Sequence, residues 1–324
     1  MRISRRRFMT LASGVVVASM PQVGHSQAYP SRPITLLVYM PPGGSPDLVA
    51  RVVAQALSPR LGQPVVIDNR PGAGGNLALQ AVARAPANGH TLLLVATPHV
   101  VNVARHEKQD IPVLKDIVPV ASINFDPFAL LVNPSSPART IAEFIALAKA
   151  NPGKLNMASS GSGNLSHLAG ELFRMMTGIE VVHVPYRGGA AANTSLLTGE
   201  TQLLFNALPA ALPLIKEGKI RALGVTTAAR VKSLPDIPTV AESVPGYTVT
   251  GWLGIGAPKG TPPEVVDRLN REVNSVLGDA AVLARLASLG SEPFTGSPPD
   301  FGRFLAEEAD KWDKVVKFAD LKPE

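Results

Sequence analysis

Short apolar runs alternate along this chain with segments in which apolar residues recur every three or four positions. The pattern predicts strand followed by helix, many times over. Residues 34–39 form an apolar run of strand length and read as a buried strand. Ser45-Pro46-Asp47 then offers a helix start: a Ser cap, a Pro at the first helical position and an Asp beside the positive end. Val49, Val52, Val53, Ala56 and Leu57 repeat at helical spacing behind it. A strand over 65–68, a loop over 69–75, a helix over 76–85, a turn over 86–89 and a strand over 91–96 complete a β-α-β-α-β series. That series implies a parallel sheet with right-handed crossovers.

The series then recurs. A strand over 128–132 leads to the capping box Thr140-x-x-Glu143, which opens a helix that Asn151-Pro152-Gly153 stops. A strand over 155–158, a Ser/Gly loop over 159–164 and a helix ending at Gly178 follow, with further strands over 181–184, 202–205 and 220–226. A third block holds a Pro-rich loop over 234–245, a strand near 252–257 and two amphipathic helices, one from about Pro262 and one over 299–318. The expected fold class is therefore α/β, in two lobes of similar build, each a mostly parallel sheet flanked by helices. Residues 29–125 and 227–324 would form lobe 1 and residues 126–226 lobe 2, with crossings near 125–127 and 226. A double crossing makes a hinge, and the cleft beside it is the natural ligand site. A single doubly wound sheet is the alternative.

Composition changes this picture at the N-terminus. The net charge is +6, but Arg2, Arg5, Arg6 and Arg7 supply four of the basic residues, and without them 27 basic residues face 25 acidic ones. The remainder are scattered with no basic stripe, which argues against a nucleic-acid partner. Ser4-Arg5-Arg6-Arg7-Phe8-Met9 matches the twin-arginine export pattern, and an apolar stretch of about ten residues follows, well short of the roughly 20 a membrane span needs. Residues 1–28 thus read as a signal peptide cleaved after Ser26 or Ala28, with a mature, soluble chain expected in the periplasm. The absence of cysteine excludes disulfides and thiolate chemistry.

Candidate chemistry lies in the loops between strands and helices. Pro41-Pro42-Gly43-Gly44-Ser45-Pro46-Asp47 and Ser159-Ser160-Gly161-Ser162-Gly163-Asn164 are both Gly-rich and both open helices. Glycines let backbone N–H groups approach a ligand, and a helix start adds its positive end, so the pair suggests two anion-attracting walls on one cleft. Ser45, Ser160 and Ser162 add hydroxyl donors. Tyr186-Arg187-Gly188-Gly189 joins another strand to another helix, and Tyr186, Gly188 and Gly189 are further candidates. Asp126, at the first crossing, could receive an ammonium group; Thr97 and Asn206 complete the set expected to touch the ligand. Catalytic and cofactor patterns fail. Gly72-Ala73-Gly74-Gly75-Asn76-Leu77 lacks the last glycine of a dinucleotide fingerprint, and there is no Walker loop, no Gly-x-Ser-x-Gly elbow and no metal-ligand spacing among the histidines. His167 reads as structural. No cofactor and no metal are expected.

These segments together resemble the periplasmic substrate-binding proteins of tripartite tricarboxylate transporters, the Bug-type receptors. The resemblance rests on Tyr29-Pro30-Ser31-Arg32-Pro33, the two Gly-rich loops above, Asn69-Arg70-Pro71-Gly72-Ala73-Gly74-Gly75-Asn76 and His167-Leu168-Ala169-Gly170-Glu171. Val184-Pro185-Tyr186-Arg187-Gly188, Leu234-Pro235-Asp236-Ile237-Pro238-Thr239 and Ala257-Pro258-Lys259-Gly260-Thr261-Pro262 extend it. It implies a two-lobed Venus-flytrap fold of the type II periplasmic-binding-protein kind, without catalysis. A small carboxylate would be held by backbone amides, hydroxyls and waters, and a large and a small membrane subunit would be the partners. Asn88-Gly89-His90 departs from the family's Asp-Gly-Tyr, and 97–99 and 124–126 fall where such receptors vary. The lack of an Arg cluster favours a mono- or dicarboxylate over a tricarboxylate. A monomer is expected. A sensor that presents its closed form to a membrane kinase, or an exported enzyme acting on a small acid, are the alternatives.

Overall fold

The computed structural model describes residues 29–43, 45–105 and 113–321. The leader with both cleavage positions, and Gly44, lie outside the described residues. The chain runs β1 (Ile34–Val38), α1 (Ser45–Leu61), β2 (Val65–Asn69), α2 (Asn76–Ala83), β3 (Thr91–Ala96), α3 (Thr97–Arg105) and α4 (Val113–Asp116). Next come β4 (Ile117–Val132), α5 (Ile141–Ala150), β5 (Asn156–Ser159), α6 (Leu165–Thr177), β6 (Val182–Pro185), α7 (Gly189–Leu197), β7 (Leu203–Ala207), α8 (Leu208–Lys216) and β8 (Arg221–Val225). The last part holds β9 (Thr250–Pro258), α9 (Pro263–Val276), α10 (Ala280–Ser288), β10 (Glu292–Pro293) and α11 (Pro298–Phe318).

Two sheets share the 16-residue strand β4. The first has the order β2-β1-β3-β9-β4, with β10 on the outer edge of β4; β1 pairs parallel with β2 and β3, and β9 runs antiparallel to β3 and β4. The second has the order β6-β5-β7-β4-β8; β5 pairs parallel with β6 and β7, and β4 runs antiparallel to β7 and β8. The sheets are built alike: in each, one long strand, β9 in the first and β4 in the second, runs against its parallel neighbours and is continuous with a crossing segment, and the two-residue β10 also runs antiparallel to β4. β4 makes one crossing at Pro127–Phe128, where its partner changes from Thr250 of β9 to Ala207 of β7.

Side chains alternate across both sheets, as the strand period requires. Ile34, Leu36 and Val38 of β1 and Leu92, Leu94 and Ala96 of β3 join one buried cluster with Val49, Val53, Val266, Leu269 and Val273 of α1 and α9. Leu37, Leu93 and Val95 turn the other way, into a cluster that continues from α2 and α11 to α5, α6 and the second sheet. A third cluster packs α7 and α8 on the far face of that sheet. α11 lies against α3 and β4 and reaches α6, where the Arg174 guanidinium stands 6.0 Å from the Phe318 ring.

Three expectations are corrected here. Residues 227–249, expected in lobe 1, pack on the second sheet: Thr239 bridges Val225, Tyr247 Oη donates to Ala169 O at 2.9 Å, and Val240 and Val244 join the cluster of Phe144 and Phe173. The second crossing is therefore at 249–250, and Thr226 ties it down by accepting Val249 N–H at 2.9 Å and donating Oγ1 to Val249 O. The C-terminal block holds three helices, since α10 opens separately on an Asp279 cap. The strand expected over 128–132 is the end of the longer β4, because Pro119 and Pro127 sit in it without breaking it.

Candidate functional site

A cavity of about 460 Å³ opens between the two sheets. It lies beyond the C-terminal ends of β1, β3, β5 and β7, which is where open α/β sheets bind ligands. Four helices begin at its wall. α1 contributes Ser45, Pro46 and Leu48; α3 contributes Thr97, Pro98 and Val101; α6 contributes Leu165, Ser166 and Leu168; α8 contributes Pro209 and Ala210. Each helix start carries the partial positive charge of its unpaired N–H groups, worth up to ~2 kcal/mol toward an anion in a partly buried site. No Lys, Arg or His is among the lining residues. The attraction for a negative guest therefore comes from the backbone.

The remaining wall is largely apolar: Tyr39, Met40, Phe128, Trp252, Leu253 and Leu289. Prolines stand in the first turns of α1, α3 and α8, so each of those starts lacks one N–H and adds a proline ring to the wall. The Ser45 and Thr97 hydroxyls make no hydrogen bond within the described residues, and both residues line the cavity. Ser160 Oγ accepts from Asn164 Nδ2 at 2.9 Å, which leaves its own proton available.

The Gly-rich loops are built to hold themselves. Gly43 N–H donates to Asp47 Oδ2 at 2.8 Å, Arg51 Nε donates to the same oxygen at 2.9 Å, and Asn69 Nδ2 donates to Oδ1 at 2.9 Å. Burial pushes the Asp47 carboxyl up, but the Arg51, Gly43 and Asn69 bonds outweigh it and hold it below the ordinary carboxylate range. In the second loop, Ser160 N–H donates to Ser166 Oγ at 3.3 Å, Gly161 N–H to Ser159 Oγ at 3.2 Å and Gly163 N–H to His167 Nδ1 at 3.0 Å. Gly188 N–H donates to Ser160 O at 3.2 Å. These amides, expected to receive the ligand, are engaged in the protein. Ser45, Thr97 and Ser160 and the helix starts are what line the cavity.

Beneath the second loop the His167 and His183 rings stack at 3.5 Å, 6° from parallel. His183 Nε2 meets Ser159 Oγ at 2.6 Å, and Glu171 holds both His167 Nε2, at 3.4 Å, and Arg174, at 2.6 Å. Burial, with His167 alongside, brings the His183 pKa down to about 4. The first half has a counterpart in His99, which is fully buried; its Nδ1 accepts Ala96 N–H at 3.0 Å, and burial lowers its pKa to about 4. His167 and His99 each pin a strand-to-helix junction by accepting a backbone N–H, and His183 bonds the Ser159 hydroxyl, which agrees with the structural reading of His167.

Of the residues expected to touch the ligand, Ser45, Thr97, Asp126, Ser160 and Gly163 line the cavity. Gly43, Asp47, Gly161, Ser162, Tyr186, Gly188, Gly189 and Asn206 do not. Asn206 is 4% exposed and bonds Asn193 Oδ1, Gly189 O and its neighbour's Ala207 N–H. The Tyr186 ring packs on the apolar cluster of Ala158, Ala192 and Leu204. Asp126 stands apart. Its Oδ1 accepts from Ser291 Oγ at 2.5 Å and Asn124 Nδ2 at 2.9 Å; burial pushes its carboxyl up against those two bonds. The apolar wall was not anticipated from the sequence. Its one signal is the pairing of a strand carrying Trp252 with a strand carrying Phe125, which a linear reading does not reveal.

Two like sheets joined by crossing strands, with a cavity between them fed by helix starts, define a periplasmic-binding-protein receptor rather than an enzyme. Residues 49–321 match the family described as "Tripartite tricarboxylate transporter family receptor", and the chain belongs to that family. Protein BugT of Bordetella pertussis is 38% identical over 295 residues, 90% of each chain. An R. palustris protein solved with adipate is 39% identical, with a TM-score of 0.77 over 91% of this chain and 100% of that one. MatC from Rhodopseudomonas palustris, solved with bound malate, is 32% identical, with a TM-score of 0.74 over 89% and 100%. The protein is accordingly a periplasmic solute-binding receptor of that family and not an enzyme. No helix among the described residues is long and apolar enough to cross a membrane, and no cluster of His, Asp or Glu among them is placed to hold a metal.

Proposed function

We propose that this receptor captures a small mono- or dicarboxylate in the periplasm and hands it to the large and small membrane subunits of a tripartite tricarboxylate transporter. The observation that carries the reading is the convergence of four helix starts on one cavity that has no basic side chain. The related receptors solved with adipate and with malate support a dicarboxylate or a similar acid. In this reading the chain is exported by its twin-arginine leader, acts as a monomer, and closes two lobes about Pro127–Phe128 and Val249–Thr250. Ser45 and Thr97 on one side and Ser160 on the other donate hydroxyls to the acid, and the apolar wall takes its carbon body.

The test is a screen of mono-, di- and tricarboxylates and neutral sugars by melting temperature, followed by calorimetry. A true ligand at one hundred times its Kd adds about 2.7 kcal/mol of stability. Thr97→Val and Ser160→Ala should each weaken that ligand about tenfold, the loss of one hydrogen bond to a charged group. A neutral sugar as the tightest ligand, or no shift by any acid at millimolar concentration, would end the carboxylate reading.

A further inference from the structure

Asp126 is out of place in a cavity meant for an anion. It is the one acid among the lining residues, and no base stands with it to neutralise it. Its Oδ1 already has two donors, Ser291 Oγ and Asn124 Nδ2, which favour the ionised form against the burial that opposes it, and a cation at Oδ2 would tip that balance to the carboxylate. Its Oδ2 has no hydrogen-bond partner among the described residues, and Asp126 lines the cavity. The Asp126 backbone sits at the crossing, paired with Gly251, and a Cβ on Gly251 would lie 3.1 Å from the Asp126 Cβ. The carboxylate is thus held from both sides, by the Ser291 turn and by β9, at a fixed place on the cavity wall.

A plain dicarboxylate entering this cavity would meet a like charge at short range in a poorly solvated space, which is unfavourable. The helix starts that draw a carboxylate lie on the other strands, β1, β3, β5 and β7, while Asp126 lies on β4. The cavity therefore has a positive wall and one separate negative point. We propose that the preferred ligand is zwitterionic: an amino acid whose carboxylate meets the helix starts, whose apolar body lies along Phe128 and Trp252, and whose ammonium group is received by Asp126 Oδ2. This deepens the carboxylate reading and rests on it.

Matched acids that differ only in the amine test it: hexanoate against 2-aminohexanoate and 6-aminohexanoate, and adipate against 2-aminoadipate, with hexylamine as the probe without a carboxylate. Each is titrated by calorimetry into the full mature chain and into Asp126→Asn, whose folding is checked by circular dichroism and melting temperature. The expected result is that at least one amine-bearing acid binds the native protein ten times more tightly than its partner. Asp126→Asn should cut that ratio to below about three and strengthen the amine-free acid. Amine-free acids that bind at least as tightly as every amine-bearing one, with a ratio Asp126→Asn does not move, would overturn the proposal and leave the carboxylate reading standing. Proton uptake on binding adipate, seen as heats that depend on the buffer, would also overturn it, because Asp126 would then act as a neutral donor. Hexylamine binding with no acid bound would remove the carboxylate reading, and with it the zwitterion. Should Asp126→Asn fail to fold, Ser291→Ala, which frees Oδ1, should keep the preference for the amine; its loss of that preference with the fold intact counts against the assignment.

Discussion

Gly290, in the turn after α10, lies directly against Pro209 at the start of α8: a Cβ built on Gly290 would stand 2.2 Å from Pro209 Cγ. The two residues belong to helices on different sheets, and Leu289 and Pro209 both line the cavity, so the contact closes its rim. Gly290 also has a φ of +72°, where a side chain is strained whatever the space.

Gly290→Ala should therefore act twice. The left-handed backbone costs ~1 kcal/mol of stability, and the methyl group pushes the rim apart. Gly260→Ala is the control: φ is +86°, but its nearest neighbour, the Ala87 Cβ, is 3.8 Å away. Both variants should lose similar stability in urea. Gly290→Ala should also lose about tenfold in ligand affinity and show a larger radius by small-angle scattering with ligand present; equal affinities in the two would dismiss the rim contact.

Asp47 should matter for stability more than for ligand chemistry. Asp47→Ala strands the Gly43 N–H, Arg51 and the Asn69 amide, at a cost of about 2 kcal/mol. Its folded-state pKa is depressed, so its contribution is present above the unfolded carboxyl pKa of roughly 4 and is lost as pH falls through the lower folded value. Urea denaturation at pH 7 and pH 3 should show a gap between native and Asp47→Ala protein that narrows at the lower pH.

His183 titrates in a different window. Its pKa of about 4 lies below the ordinary histidine value, so the neutral ring stabilises the fold above pH 6.5, and that stability drains away as pH falls from 6.5 through 4. His183→Gln removes the titration. Its melting temperature should depend less on pH between 6.5 and 4 than that of the native protein; matching slopes would mean the stack contributes nothing to the acid response.

Glu308 Oε2 accepts from both Trp252 Nε1 and Trp312 Nε1 at 2.9 Å, and Lys311 holds its other oxygen. Glu308→Ala leaves two buried indole N–H groups without partners and should cost about 3 kcal/mol in urea denaturation. Glu308→Gln keeps an acceptor and should cost less than half as much; equal losses would show that packing, not the shared oxygen, matters here.

The strand-helix alternation was legible because each element carries its own signal: the Thr140 cap bonds Glu143 N–H, Gly178 ends α6 at φ +68°, and the apolar period of α11 buries Phe301, Leu305, Trp312 and Val316. The places where strands end were legible too, and Ser45, Thr97 and Ser160, which follow them, line the cavity. What a line of residues conceals is which donors are already taken. The Gly163 amide looks free in the sequence, but His167, one turn on, occupies it. The segment 227–249 follows β8 directly, and its side is fixed by contacts such as the Tyr247 bond to Ala169, 78 residues upstream, which the order of residues does not reveal. Trp252 and Phe128 reach the cavity through pairings of β4 far along the chain, Phe125 with Trp252 and Phe128 with Ala207.

The last helix ties the two halves of the molecule together. Twenty-one residues long, α11 lies across α3 and β4 and touches α6, so both halves are bound along one spine. In the proposed closure, a pivot there would turn a small bend at Pro127–Phe128 into a long swing at the opposite margin. The travel in that closure would be greatest where Pro209 and Gly290 meet, so that margin is where a docking protein would tell full from empty by shape.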